Sequence, residues 1–147
     1  MKTILHSSAG IFSMFFLLVF FTATLVSEYF YSPQDVITVQ QAILQAMLAY
    51  LFLILIAGAI GLSLSKERKG RLVDVKKKRM LAIIFFSVGV LLPVVYLLAG
   101  QTLESDRGIF FFSLEGIELG VCALIMVLLW LNARDGAKLT ANGPTTS

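Results

Sequence analysis

Glu115, Glu118 and Cys122 are the side chains whose types and spacing point most directly to chemistry, because they recur at intervals of three and four inside a long apolar run. Those intervals place all three on one face of a helix. A carboxylate inside lipid is costly and usually faces a bundle interior or a water-filled cavity. Two carboxylates this close tend to share a proton, so the pair reads as a proton or cation site, completed by the amides of Gln41 or Gln45 from an earlier helix. A plainer reading carries more weight. If the helix begins at Ser113, Glu115 is a first-turn acid at the favourable end of the dipole and Glu118 lies about one turn below the interface.

His6 is the sole histidine. A b-type haem held by one chain needs two axial ligands, so haem ligation requires a second subunit or a methionine such as Met126, and no spacing supports either. Metal ligation by His6 with carboxylates is equally thin. Cys122 is the only cysteine, which excludes an intramolecular disulfide and a thiolate cluster. Phe110, Phe111 and Phe112 are compatible with a quinone or lipid tail, although aromatic filler facing lipid is the commoner case. No nucleophile with a base, no glycine loop for phosphate and no paired-cysteine motif occurs. The expectation is a protein without catalytic residues, cofactor or metal. His6 instead fits a polar cap at one membrane face, together with Asn132, Arg134 and Asp135.

These groups sit on a strongly apolar chain of 147 residues, 58% hydrophobic and only 14% charged, with a mean hydropathy of +0.88. An ordinary soluble domain carries nearer a quarter charged residues. The sequence predicts an all-α, integral-membrane four-helix bundle in one domain over 1–140, with spans at about 5–28, 36–64, 80–99 and 110–132 and a flexible tail at 141–147. The first run lacks a small-residue cleavage site and is long for a signal peptide, so it reads as an uncleaved helix. Ser32, Pro33 and Asp35 form a helix start, making the first connection a tight hairpin. Ala57, Gly58, Gly61 and Ser65 offer one close-packing seam, and Gly116 with Gly120 a second. Pro93 predicts a kink in the third span.

Orientation follows from the basic island at 66–79, which reads as the loop between the second and third apolar runs. It holds eight of the twelve cations, and with Lys2, Arg134 and Lys138 it leaves only Arg107 on the opposite side. The positive-inside rule then places both termini and the island in the cytoplasm. This topology explains the net charge of +3 and the pI near 9.2 without nucleic acid. Within the island, Arg71, Lys76, Lys77, Lys78 and Arg79 are candidates for contact with anionic lipid, although anchoring of topology alone is the better-supported reading, since every helix needs such flanks.

The segments His6–Gly10, Gly70–Leu72 with Lys77–Met80, and Asn132–Thr140 give the chain a resemblance to a group of small uncharacterised bacterial four-span inner-membrane proteins. The resemblance implies a bacterial cytoplasmic membrane and the same four-helix layout, and transfers no functional residue. Together these features lead to the expectation of a non-enzymatic membrane protein acting by helix association, as an accessory subunit, a lipid-associated scaffold or a homo-oligomer. A proton- or cation-coupled carrier using Glu115 and Glu118 is the alternative, and a haem- or quinone-binding redox carrier the second.

Overall fold

The computed structural model describes residues 2–67, 70–101 and 108–141. The acidic connection bearing Glu104 and Asp106, the outlying cation Arg107, and the tail from 142 onwards lie outside the described residues. Helix α1 spans Lys2–Phe30, α2 Pro33–Glu67, α3 Arg71–Phe86, α4 Leu92–Ala99 and α5 Ile109–Ala141, with a π-helical segment at Ser87–Leu91 joining α3 to α4. Four rods are long and apolar enough to cross a membrane: Ile4–Phe30, Pro33–Lys66, Arg71–Ala99 and Ile109–Lys138. They close a ring in which α1 packs on α2 and α5, while the α3–α4 rod also packs on α2 and α5 and lies diagonally across from α1.

Local chemistry sets the ends of these rods. Ser32 Oγ accepts the Asp35 amide N–H at 3.4 Å and donates to Asp35 Oδ2 at 2.6 Å, so the hairpin start read from the sequence is formed by a reciprocal cap. Gly70, at φ 148°, opens α3 in a conformation that side chains rarely adopt. Its carbonyl accepts the Val73 and Asp74 amides.

Several expectations change. The basic island is not a loop beyond Gly70, because α3 starts at Arg71 and carries Lys76 to Arg79 as helix; Lys and Arg are good helix formers once a start exists. Ser113 is not an N-cap. Helix α5 already runs from Ile109, and Ser113 Oγ donates back to the Ile109 carbonyl at 2.6 Å, as hydroxyls inside helices do. The helix also continues past Asn132 through Ala141. Pro93 leaves the Gly89 carbonyl without its helical donor, and the backbone meets this with the π segment immediately before it, where the Leu92 amide reaches Ser87 O.

The core is apolar and interlocked. On α2, Val36, Ile43, Met47, Tyr50, Ile54 and Ala57 repeat at steps of three, four and seven along the buried face. Apolar helices that pack within lipid gain no hydrophobic driving force from one another, so in that setting close approach and polar bonds supply the cohesion. Gly58 provides one such approach: a Cβ there would lie 2.6 Å from Ile84 Cδ1. The Phe20 ring meets Tyr50 edge-on at 6.1 Å, and the Tyr50 hydroxyl shares a 2.7 Å bond with Ser87. The second seam behaves otherwise. A Cβ on Gly116 or Gly120 would meet nothing within 4 Å, so that pair faces away from the bundle.

Candidate functional site

Polar side chains gather at two levels of the bundle. Near the end formed by the α1–α2 hairpin, Glu118 is only 1% exposed and is held by two other helices. Thr24 Oγ1 donates to Glu118 Oε1 at 3.2 Å, Gln40 Nε2 donates to Glu118 Oε2 at 3.0 Å, and the same amide reaches Thr24 Oγ1 at 3.3 Å. Helices α1, α2 and α5 are thereby tied at one point. Gln40 Oε1 has no hydrogen-bond partner among the described residues, because its amide must turn its N–H group to the carboxylate. Glu115 is also buried, on the same face of α5.

The amides singled out with these acids do something else. Gln41 is exposed and donates to the Ala99 carbonyl at a long 3.4 Å, while Gln45 is exposed one turn further along and has no hydrogen-bond partner among the described residues. The partner of Glu118 is therefore Gln40, which sequence reasoning missed. A signal existed: Gln34, Thr38, Gln41 and Gln45 share one helical phase, all exposed, and Gln40 alone falls off it.

At the other end, called here the basic end, the four rods stay apart around a cavity of about 320 Å³. It is lined by His6 from α1, Gly61 from α2, Lys76 and Lys77 from α3, and Asn132 and Gly136 from α5, above a floor that includes Met14, Met80 and Leu129. His6 Nδ1 lies 2.8 Å from the Ala57 carbonyl. A carbonyl only accepts, so Nδ1 carries the proton and Nε2 keeps a lone pair when the ring is neutral. Gly61 makes this seat possible, since a Cβ there would come within 2.9 Å of His6 Cε1. Asn132 is 8% exposed, and its Oδ1 has no hydrogen-bond partner among the described residues.

The expected cap divides in two. Arg79 donates to Asp135 Oδ2 at 2.6 Å and Arg134 Nε lies 3.5 Å from Oδ1, so these three form an ion cluster, whereas His6 and Asn132 belong to the cavity. Of the five cations considered for lipid contact, Lys76 and Lys77 line the cavity, Arg79 is engaged by Asp135, and Arg71 and Lys78 stand exposed outside it.

Neither described cavity is lined by Glu115 or Glu118. Among the described residues no group of three or more His, Cys, Asp or Glu is placed to hold a metal ion. Cys122 is buried in the core with its thiol unbridged. The chain matches no protein-family model, no curated protein and no solved structure, so the geometry at these two levels is what bears on function.

Proposed function

We propose that this is a non-enzymatic, four-span protein of a bacterial cytoplasmic membrane that works by helix association, pairing with a second copy of itself to form a scaffold or accessory subunit. The observation that carries this reading is the outward amide stripe of α2: Gln34, Thr38, Gln41 and Gln45, followed in the same phase by exposed Leu48 and Phe52. In a bilayer, Gln45 would stand about one turn, ~5.4 Å, inside the level of Ala99 at the end of α4. A carboxamide facing hydrocarbon there has no water to bond, and interhelical bonds of this kind contribute about 0.6–2 kcal/mol. An amide is its own complement, donor and acceptor together. A twofold axis along α2 would set Gln45 against its copy and satisfy both.

The basic end would face the cytoplasm, because the cations of α3 and the end of α5 lie there together. A cysteine replacing exposed Lys77, in a Cys122→Ser background, is expected to react with a membrane-impermeant maleimide only after cells are opened. Labelling in intact cells would reverse the orientation.

Glu118 gives less support to a carrier than to a structural tie, since both its oxygens accept bonds from neighbouring helices. Mass measurement in mild detergent tests the association directly. The wild type is expected as a dimer and Gln41→Leu/Gln45→Leu as a monomer with unchanged helicity. A wild type that is monomeric at all concentrations, in detergent and in lipid nanodiscs, would contradict the proposal.

A further inference from the structure

We propose that the basic end holds a specific site for one acidic lipid, its anionic headgroup in the cavity and an acyl chain in the groove between α1 and α5. The proposal requires the chain to lie in a membrane but is independent of its pairing through α2. Three observations converge on it. The cavity, about 320 Å³, is of the size that binds small molecules, with apolar walls and a few polar groups at fixed points.

Those polar groups suit an acidic headgroup. Lys76 and Lys77 supply positive charge from the first turns of α3, and Gly136 leaves room for the Lys76 ammonium, because a Cβ there would lie 3.0 Å from Nζ. Asn132, nine-tenths buried, contributes an amide whose oxygen is without a hydrogen-bond partner among the described residues. The ends of a carboxamide exchange by a half-turn, so either can be presented to a headgroup hydroxyl or oxygen. His6, with Nδ1 committed to Ala57 O, keeps Nε2 as a further polar contact.

The third observation separates a lipid from a free anion. Ile11 and Met14 line this cavity and also line a second, almost wholly apolar groove of about 510 Å³ on the outer face of α1 and α5, completed by Phe15, Leu18, Val127 and Trp130. The two spaces thus adjoin at Ile11 and Met14, one with polar groups at the bundle end and the other greasy along its side. That is the shape of an amphiphile lying with its charge inward and its chain along the helices.

Trp130 is the only tryptophan and is 58% exposed on that groove, which supplies a built-in reporter. The full chain is reconstituted in phosphatidylcholine nanodiscs and its fluorescence is followed as phosphatidylglycerol with brominated chains is added, with brominated phosphatidylcholine as reference. Saturating quenching at a low mole fraction of the acidic lipid is expected, against a gradual rise with the neutral one. Lys76→Gln/Lys77→Gln is expected to need at least about tenfold more acidic lipid, on the basis of two cations near the headgroup, and Asn132→Leu, which keeps every charge, several-fold more. Arg71→Gln/Lys78→Gln removes the same charge outside the cavity and is expected to behave as wild type. Superimposable titrations for the two lipids, or equal shifts in the two double variants, would each overturn the proposal; so would a free-anion site, shown by inorganic phosphate binding the nanodisc-held protein in a Lys76- and Lys77-dependent way while the brominated acidic lipid quenches no more than the neutral one.

Discussion

At one end of the bundle three helices close on Glu118 through Thr24 and Gln40, and at the other four helices stand apart around an open space lined by His6, Lys76, Lys77 and Asn132. Both ends bury costly polar groups, yet only one leaves room beside them. Each end leaves one buried amide oxygen, of Gln40 or of Asn132, without a hydrogen-bond partner among the described residues, so the difference lies elsewhere: a cluster with donors already aimed at its carboxylate contributes cohesion and register, whereas one with cationic side chains and adjoining volume is organised for something that enters. Helix α2 repeats the lesson within one element, since Gln40 turns inward to a carboxylate and Gln45, five residues on, is exposed with no hydrogen-bond partner among the described residues.

The sharpest way to break this contrast is to replace the inner and the outer amide in turn. Gln40→Leu removes a donor to a buried carboxylate and is expected to cost about 1.5–3 kcal/mol of stability, measured by denaturant titration in detergent. Gln45→Leu is expected to leave the isolated chain within about 0.5 kcal/mol of wild type, as substitutions away from named interactions do. Equal losses would mean that the tie at Glu118 is not structural.

The glycines give the next largest difference. Gly61→Ala crowds His6 against its seat on the Ala57 carbonyl and is expected to cost about 1–3 kcal/mol, with the histidine ring resonances shifting in NMR spectra. Gly116→Ala meets open space and is expected to be neutral, or to stabilise by up to about 1 kcal/mol through helix propensity. A smaller effect belongs to the middle of the bundle: Tyr50→Phe loses the bond to Ser87 and is expected to cost about 1 kcal/mol, read from the same titration. Glu118→Gln keeps the shape of the tie, and proteoliposomes carrying it are expected to show the same proton flux as wild type. A selective loss of flux would restore the carrier reading.

Much of the framework was legible before any coordinates. Four apolar runs and the Ser32 cap follow from length and capping chemistry, and the structure contains them; of the Ala57, Gly58, Gly61 and Ser65 seam, close approaches are made at Gly58 and Gly61, while Ser65 lines the cavity. Which amide meets Glu118 was not legible in the same way. Beyond its first turns helix α2 is apolar on nearly every face, so only the short polar phase of Gln34, Thr38, Gln41 and Gln45 hints at its rotation, and a step of one residue turns a side chain by about 100°. For the same reason Gly116 and Gly120 promised an internal contact and instead face outward. The cavity was hidden more deeply, because its lining comes from four separate rods and its shape depends on where they fail to touch. The seating of His6 could not be read without knowing that Gly61 lies opposite. The helical course of Lys76 to Arg79 was obscured by reading a charged stretch between apolar runs as a loop.

The proposed pairing rests on the outward face of α2 being an interface between copies. Oxidative cross-linking in native membranes tests this with one cysteine at a time in a Cys122→Ser background: Leu48→Cys on the amide stripe, compared with Phe85→Cys on the exposed side of α3. A covalent dimer is expected from Leu48→Cys and is lost when Gln45→Leu is added, with little dimer from Phe85→Cys. Cross-linking at Leu48→Cys no greater than at Phe85→Cys, or indifferent to Gln45, would contradict it.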